Sequence, residues 1–515
     1  MGQLMLPIEI DTLIPNNHLV RVVNTTIERM NIEPLLKQYK GGGTSSYHPK
    51  MLLKVLVYAY TQKVYSSRMI AKALRENIYF MWLSGNNNPD FRTINRFRSS
   101  VLKEVINNTF IAVVGLLMEG GYIRLENYFL DGTKIEANAN RYSFVWRKTI
   151  QKNKAKLQIR AGELFQQIDE AQAREDAQYG DSDIDGLRQE GPIDTAAIDA
   201  KVKELDAQLA ATPVEKKARV RRLNRYSRTL KEYLSRLQKY EEQEKILNGR
   251  NSYSKTDKEA TFMRMKEDHM RNGQLKPGYN VQIGTEDQFI VNYSIHQNRA
   301  DTGCLIPNLN QVRANLGVRP TRVIADAGYG SEENYEYLAK EEITAYVKYN
   351  TFHQEHKRAN KENPFRAENI PYDKGKDEYI CPAGRHLRYI RDKKQTTDNG
   401  YQTIRKIYEC ESCEGCELKE RCTKRAGNRQ IEVSHRLNEL KREAKERLQS
   451  EEGKALRSQR AIEVEPVFGR IKQNWSFRRF LLRGIAKVQT EWGLLSIAHN
   501  LAKLAMKLQT VSCPA

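Results

Sequence analysis

The stretch that decides the fold is Ala461-Ile-Glu-Val-Glu-Pro-Val-Phe-Gly-Arg-Ile-Lys472. An acid, Glu465, and a base, Lys472, stand seven residues apart, which is nearly two helical turns, so a helix is predicted to align both on one edge of its apolar face. Pro466 disfavours helical geometry at the residue before it, so the helix is predicted to kink or to begin there. The apolar residues recur at helical spacing and predict one face turned to a core; they are Val464, Phe468, Ile471 and Trp475. Taken alone, the stretch also fits an ordinary surface acid beside an amphipathic helix.

Length and composition indicate a multidomain globular protein. With 515 residues, of which 39% are hydrophobic, about two to four domains with sizeable cores are expected. No run of roughly eighteen apolar residues and no signal-peptide start is present, so we expect a cytoplasmic protein with no membrane partner.

The charge balance is strongly basic. Lys+Arg 85 against Asp+Glu 64 gives a net charge of +21, which favours a polyanionic partner. Nucleic acid is the first candidate, and a basic but unspecialised enzyme is the alternative. A membrane surface is disfavoured because the basic residues are spread along the whole chain.

Residues 1–120 are predicted to be mostly helical and to end in a basic segment. Apolar stripes at Leu52–Tyr60 and Met69–Leu74 predict two helices, and residues 86–98 predict a turn followed by a short basic helix. Two helices and a basic third are the parts of a helix-turn-helix reader of double-stranded DNA, whereas a solvated basic face is the alternative. The three arginines expected to contact DNA are Arg92, Arg96 and Arg98.

A charged helical insert is predicted from residue 146 to residue 274. Three narrow apolar stripes, which begin at Leu157, Ile198 and Leu223, suit antiparallel helices packed as a small bundle or coiled coil. The acidic, glycine-containing linker from Tyr179 to Pro192 is predicted to be a mobile turn between helices.

Strands are predicted on either side of this insert, and two of them end in an acid. Residues 122–132 predict a strand that carries Asp131, although Asp-Gly is also a common hairpin turn. A hairpin after the insert is predicted to turn at Gly284–Asp287, and Arg322–Gly330 predicts a short strand that carries Asp326 at its carboxyl end. In α/β sheets, ligand sites lie at that end of the strands.

Five of the seven cysteines are clustered and predict a metal site. Two Cys-x2-Cys steps share one residue, and thiolates at that spacing can converge on a tetrahedral Zn²⁺. We expect structural zinc held by four of the five, with His386 a lesser candidate ligand. A redox-active or reduced cysteine group and an iron–sulfur cluster are the alternatives. The five are Cys381, Cys410, Cys413, Cys416 and Cys422.

Three acids are placed where a sheet can bring them together, namely Asp131, Asp326 and Glu465. Three carboxylates can hold one or two Mg²⁺ ions, which activate an attacking oxygen and stabilise the leaving oxygen of a phosphodiester. Basic residues interleaved with aromatic ones follow Glu465 and suit phosphates and exposed bases. The expected DNA-binding residues there are Arg470, Lys472, Arg478 and Arg479.

These motifs resemble those of the DDE transposases of bacterial insertion sequences, within the IS-four and IS-five superfamily and most like the IS-eleven-eighty-two type. Three stretches of this chain are similar to the three acid motifs of that family. In chain order they are Phe129-Leu-Asp-Gly-Thr-Lys-Ile-Glu-Ala-Asn138, Ala325-Asp-Ala-Gly-Tyr329 and Val464-Glu-Pro-Val-Phe-Gly-Arg-Ile-Lys472. The resemblance covers nearly the whole chain. It implies an α/β fold with an RNase H-like catalytic core, dependence on Mg²⁺, binding of terminal inverted repeats, and cleavage and joining of DNA ends.

The third motif departs from the wider superfamily pattern Tyr-x2-Arg-x3-Glu-x6-Lys. Ser458 and Ala461 stand at the tyrosine and arginine positions, and Arg457 and Arg460 are the candidate substitutes. Glu463 competes as the third acid, although an arginine instead of a lysine follows it at the matching distance.

The resemblance and the residue patterns together predict six segments. They are an N-terminal helical DNA-binding domain (1–120), a catalytic core in three parts (121–145, 275–349 and 455–515), a helical insert (146–274) and a cysteine-rich zinc-binding insert (350–454).

The expected function is a transposase that binds terminal inverted repeats and catalyses metal-dependent DNA cleavage and strand transfer. Asp131, Asp326 and Glu465 would hold Mg²⁺, and Lys472 would bind DNA near the reacting phosphate. The expected partners are double-stranded DNA at the transposon ends and target and a second copy in a homodimer on DNA, in the cytoplasm at the nucleoid. A catalytically silent DNA-binding regulator derived from a transposase and a standalone nuclease are the alternatives.

Overall fold

A computed structural model describes residues 9–39, 47–179, 193–213, 215–265, 274–355, 357–397 and 399–511. The chain forms two compact units. The first comprises Met1–Glu136 and Tyr279–Ala515, and the second comprises Ala137–Gly278. The chain therefore leaves the first unit once and returns to it.

Among the described residues, seven α-helices precede the first strand of the first unit. They are α1 (Leu19–Arg29), α2 (Glu33–Leu36), α3 (Pro49–Thr61), α4 (Ser67–Glu76), α5 (Ile78–Ser84), α6 (Phe91–Arg96) and α7 (Leu102–Glu119). Asp90 caps α6, since its side chain accepts a hydrogen bond from the backbone N–H of Thr93 at 2.7 Å. A π-helical turn, Phe97–Val101, joins α6 to α7.

The first strand, β1 (Asn127–Glu136), begins later than the sequence predicts. The carboxylate of Glu286 is the reason, because it binds the backbone just before the strand and at its first residue. Its two oxygens accept hydrogen bonds of 2.6–2.9 Å from four consecutive backbone N–H groups, those of Arg124, Leu125, Glu126 and Asn127.

The second unit is a helical bundle with short strands. Its elements are β2 (Phe144–Trp146), α8 (Arg147–Tyr179), α9 (Thr195–Ala211), α10 (Lys217–Leu247), β3 (Ser252–Ser254) and β4 (Thr261–Arg264). The apolar stripes of the three helices pack into one core, in which Ala161, Ile198 and Leu230 are completely buried. Apart from Tyr179, the acidic linker that was predicted to be a turn lies outside the described residues.

Alternating strands and helices follow. They are β5 (Leu275–Glu286), β6 (Phe289–His296), α11 (Leu305–Leu316), β7 (Arg322–Gly330), α12 (Glu332–Lys340) and β8 (Thr344–Tyr349). In the first unit they form a mixed sheet with β1, in the order β5, β1, β7 and β8, and β6 pairs with β5. The β1, β7 and β8 pairs are parallel, and β5 and β6 are antiparallel.

The hairpin between β5 and β6 turns at Asp287 and Gln288, whose φ angles are 51° and 60°. The sequence predicted the turn at Gly284–Asp287. Gly284 instead lies inside β5, where an added Cβ would be 1.7 Å from the ring of Tyr128. That glycine therefore allows close packing between strands and does not form the turn.

The cysteine-rich segment carries a sheet of its own. Its elements are α13 (Phe352–Glu355), α14 (Arg358–Lys361), β9 (Tyr372–Asp373), β10 (Glu378–Ile380), β11 (His386–Thr396), β12 (Gln402–Cys410), α15 (Lys419–Cys422) and β13 (Gln430–Val433). The strand order is β13, β12, β11, β10, β9, and all the pairs are antiparallel.

Four helices end the described chain: α16 (His435–Gln449), α17 (Glu451–Glu463), α18 (Glu465–Gly469) and α19 (Ile485–Val511). The predicted break at Pro466 is present, because α17 ends before Val464 and α18 begins after it. A π-helical turn, Arg470–Asn474, follows α18. The predicted alignment of Glu465 with Lys472 is not found, since Glu465 is exposed and Lys472 is buried.

One helical stretch in the described chain, Phe91–Glu119, is long and apolar enough to cross a membrane by length and composition. In the structure its α7 part packs against α19 and buries Val105, Phe110 and Val113. A core helix of a globular unit behaves in this way.

Candidate active site

Asp131 and Asp326 lie side by side where the parallel pairing of β1 with β7 ends. β1 and β7 are parallel, and Leu130 is paired with Ala325, so the two aspartates occupy the next position on each strand. The side chain of Asp131 is buried, whereas that of Asp326 is 48% exposed. The sequence predicted both acids at strand ends, but β1 continues to Glu136 and β7 to Gly330; what ends just before the two acids is the parallel pairing, which brings them together.

Arg460 of α17 contacts both aspartates. Its Nη2 lies 3.2 Å from Asp131 Oδ1 and 3.8 Å from Asp326 Oδ2, and its side chain is only 11% exposed. Burial acts to raise the pKa of Asp326, but the backbone N–H of Ala327 and the charges of Arg460 and Lys348 outweigh it, so the pKa is lowered. Asp326 is therefore ionised at neutral pH. Of the two arginines considered from the sequence, Arg460 is the one in the site.

A fourth acid, Asp301, lies beside these two and was missed from the sequence. Its Oδ1 accepts hydrogen bonds from Asn280 Nδ2 at 2.7 Å and Gln282 Nε2 at 2.9 Å. Both amides lie on β5 and are fully buried. Gln282 Oε1 accepts a hydrogen bond from the hydroxyl of Tyr329. Two amides at alternate positions in an otherwise apolar strand were the available signal, because buried amides need polar partners.

The two candidates for the third acid have different surroundings. Glu463 is 5% exposed, and its carboxylate accepts hydrogen bonds from the backbone N–H of Gln288 at 2.6 Å and from Gln459 Nε2 at 3.3 Å. Burial raises the pKa of Glu463. Glu463 thus stabilises the hairpin turn between β5 and β6. Glu465 is exposed at the start of α18, five residues after Arg460, and takes no part in the ion pairs of Arg460 with Asp131 and Asp326.

The basic residues after Glu465 are only partly exposed. Lys472 is 7% exposed, and its backbone carbonyl accepts a hydrogen bond from Arg478 Nε at 3.3 Å. Arg470 is half-buried, with Nη2 2.9 Å from Met506 Sδ. Arg479 is 45% exposed in its side chain and lies 4.0 Å from the carboxylate of Glu136, at the end of β1. The segment that carries Arg478 and Arg479 thus lies beside the strand that carries Asp131.

The three N-terminal arginines separate into two groups. Arg92 and Arg96 are exposed on α6. Arg98 is 3% exposed and donates hydrogen bonds to the Tyr60 hydroxyl at 3.3 Å and the Tyr65 carbonyl at 2.7 Å. The expectation that Arg98 faces DNA is therefore corrected, because its guanidinium is taken up inside the helical region.

All five clustered cysteines line one small pocket. The backbone N–H of Arg385 donates to Cys381 Sγ and that of Arg429 to Cys413 Sγ, both at 3.3 Å. The residues lining the pocket do not include His386, whose Nδ1 lies 2.9 Å from a carboxylate oxygen of Glu378.

Within the described ranges, no three His, Cys, Asp or Glu side chains are arranged as a finished metal site. The chemistry of the residues still fits the expected ions. Asp131 and Asp326 offer the hard oxygens that Mg²⁺ prefers, and they already share one cationic group. The cysteines offer sulfur ligands suited to Zn²⁺, in one pocket.

Two family models match parts of the chain. Residues 380–505 match a model described as Transposase DDE domain, and residues 8–100 match a model described as Transposase domain (DUF772). Neither a curated protein nor a solved structure matches the chain. The first match includes Arg460, Glu465 and Lys472, whereas Asp131 and Asp326 lie outside both.

These matches support an insertion-sequence transposase. Transposases bind DNA, DDE transposase domains generally use Mg²⁺, and such a domain indicates a nuclease or transposase enzyme. The mixed α/β architecture of the chain is consistent with a DDE-type transposase.

Proposed function

We propose that this chain is a DNA transposase of the IS-eleven-eighty-two type with an RNase H-like catalytic core. The observation that carries the proposal is the pair Asp131 and Asp326, adjacent where the parallel pairing of β1 with β7 ends and bridged by Arg460. Two transposase family matches in the same chain support it.

Asp131, Asp326 and Glu465 would hold Mg²⁺. Bound there, the metal supplies activation of the attacking oxygen and stabilisation of the leaving oxygen of a phosphodiester. The exposure of Glu465 supports it over Glu463 as the third acid, because Glu463 is buried and bound to the turn at Gln288. Arg460 contacts both aspartates and offsets part of their negative charge.

The basic residues near the catalytic pair would hold the DNA phosphates. Arg478 and Arg479 lie beside the end of β1, and Arg470 and Lys472 lie in the π-helical turn after the third acid. Lys472 would bind near the reacting phosphate, which requires its buried ammonium to turn outward.

Arg92 and Arg96 would contact the double-stranded DNA of the terminal inverted repeats, through the exposed face of α6. The active species would be a homodimer on paired ends, acting on DNA at the nucleoid in the cytoplasm. The net charge of +21 supports a polyanionic partner.

Structural Zn²⁺ would be held by four of the five cysteines Cys381, Cys410, Cys413, Cys416 and Cys422. Their shared pocket and the N–H groups directed at two of the sulfur atoms support this assignment. Four thiolates leave no open position for water, so the role would be to stabilise the segment.

The test is a strand-transfer assay with the purified chain, Mg²⁺, and DNA carrying the ends that flank its gene. We expect Asp326→Asn and Asp131→Asn to lose cleavage and joining while retaining end binding. Glu446→Gln, an exposed acid on α16, is the matched control and should behave as wild type. Cleavage that survives Asp326→Asn would reject the proposal.

Two alternatives remain for the same chain. A catalytically silent DNA-binding regulator would bind the ends and cleave nothing, with or without Asp326. A standalone nuclease would cleave the ends but would not join pre-cut ends to a target. The joining step of the assay therefore separates all three.

A further inference from the structure

The acid Asp301 lies between the two catalytic strands. An added Cβ on Gly132, the residue after Asp131, would be 2.2 Å from Gln282 Nε2 and 2.9 Å from Asp301 Oδ1. An added Cβ on Gly328, two residues after Asp326, would be 3.5 Å from Asp301 Oδ2. The same carboxylate thus abuts the backbone just beyond both catalytic aspartates.

A buried polar network links Asp301 to β7. Its Oδ1 is held by Asn280 and Gln282, and Gln282 accepts a hydrogen bond from Tyr329, three residues after Asp326. Amides with no exposure in the middle of a sheet destabilise a fold unless they are bonded, and here two of them converge on one carboxylate oxygen. The position of Asp301 is therefore closely determined.

Thr302, the residue after Asp301, is also bound to β7 beyond Asp326. The hydroxyl of Thr302 donates to the carbonyl of Gly328 at 2.9 Å, and Asn334 Nδ2 donates to the carbonyls of Thr302 at 2.8 Å and Tyr329 at 2.7 Å. Residues 301 and 302 therefore connect β5 to the segment that carries Asp326.

We propose that Asp301 is a positioning residue of the catalytic centre: through Gln282 and Tyr329 it sets the separation of Asp131 and Asp326. This inference rests on the proposed function. Metal ions tolerate little displacement of their ligands, and loss of residues that orient the ligands typically lowers metal affinity or activity about 10–100-fold.

The test compares Asp301→Ala with Asp301→Asn. The alanine variant removes the acceptor of both amides, whereas asparagine keeps one acceptor oxygen at nearly the same shape. For Asp301→Ala we expect Mg²⁺-dependent cleavage to fall at least about tenfold, with Mn²⁺ restoring part of it because Mn²⁺ accepts a looser site. Asp301→Asn should retain much more activity than Asp301→Ala.

A second readout does not depend on cleavage. The Mn²⁺ concentration that half-maximally shifts the thermal unfolding of the DNA-free protein should rise about tenfold in Asp301→Ala. A variant that was merely less stable would lose activity equally in Mg²⁺ and Mn²⁺ and would keep the metal midpoint. Either an equal loss in both metals or an unchanged midpoint would overturn the proposal.

Asp326→Asn in the same experiments separates this inference from the proposed function. If Asp326→Asn is inactive and Asp301→Ala matches wild type, only the role of Asp301 fails. If Asp326→Asn is itself active, the proposed function fails, and the role of Asp301 fails with it. Glu446→Gln again serves as the control for loss of an acid elsewhere on the first unit.

Discussion

The guanidinium of Arg460 lies 3.2 Å from the carboxylate of Asp131 and is also 3.8 Å from that of Asp326. Arg460→Ala leaves the two aspartates beside each other without this shared cation. Without divalent metal we expect the variant to lose about 1–3 kcal/mol of unfolding free energy, less than for a fully buried pair because Asp326 is half-exposed.

Mg²⁺ should stabilise Arg460→Ala at a lower concentration than it stabilises wild type, since no guanidinium has to be displaced. Thermal unfolding across a Mg²⁺ titration measures both effects. Arg442→Ala, an exposed arginine on α16, is the control. Identical Mg²⁺ midpoints in Arg460→Ala and wild type would show that Mg²⁺ does not compete with the Arg460 guanidinium for the aspartates.

The lowered pKa of Asp326 predicts a pH dependence of stability. Because the folded pKa lies below the ordinary value of 3.8, the ionised group stabilises the fold above that value, and the effect disappears as the pH falls through the folded pKa. Asp326→Asn should therefore be less stable than wild type at about pH 7, and the difference should shrink at a pH below the ordinary value of 3.8. Urea unfolding at both pH values measures it. A constant difference would show that the charge is not responsible.

Glu463 and Glu465 should respond in opposite ways to substitution by glutamine. Since burial raises the pKa of Glu463, its charged form is disfavoured in the fold, and Glu463→Gln should unfold at the same or a higher temperature at neutral pH. It should also keep DNA cleavage. Glu465→Gln should lose at least about a hundredfold in cleavage rate with unchanged stability. Reversal of the two phenotypes would assign the third acid to Glu463.

Glu286→Gln tests how the first strand is started. The carboxylate of Glu286 accepts hydrogen bonds from four backbone N–H groups. In the glutamine variant, the NH₂ group of the side chain would face two of these N–H groups and could not accept from them. We expect a loss of about 2–4 kcal/mol in the free energy of unfolding, measured in urea. A loss below about 1 kcal/mol, no larger than for Glu446→Gln, would mean that water replaces these hydrogen bonds without penalty.

The cysteine pocket predicts one tightly bound Zn²⁺ per chain. Metal analysis of the purified protein should find it, and Cys413→Ser should lose it together with a fall in the unfolding temperature of several degrees. Cys513→Ser, outside the cluster in sequence, is the control. Full zinc content in Cys413→Ser would mean that the other four cysteines suffice, and an absence of zinc in wild type would reject the site.

Much of the catalytic pair follows from local sequence. An apolar run that leads into an acid indicates a strand that carries that acid, and both Asp131 and Asp326 meet this description, although each strand continues past its acid. Asp301 does not, because its partners Asn280 and Gln282 come from another strand, and only the folded sheet reveals which amides face which acid.

The sequence predicted less well which charged residues of a helix are exposed. Arg92 and Arg98 belong to the same basic segment of the sequence, and both were expected to contact DNA. In the structure Arg98 is buried and donates a hydrogen bond to Tyr60, whereas Arg92 is exposed. Glu465 and Lys472 were expected at one edge of a single helix. The interruption at Val464 and the π-helical turn after Gly469 change their relative orientation, and residue spacing assumes a regular helix.

The residues of the catalytic centre are far apart in the sequence, so the centre can form only late in synthesis. Asp131 belongs to a strand that pairs with residues nearly two hundred positions later, and Arg460 comes later still. During synthesis the bundle of Ala137–Gly278 emerges complete before any partner of that pairing has left the ribosome. We therefore expect a chain stopped in its first half to be unable to cut DNA, so that this activity arises only once translation has reached the closing helices.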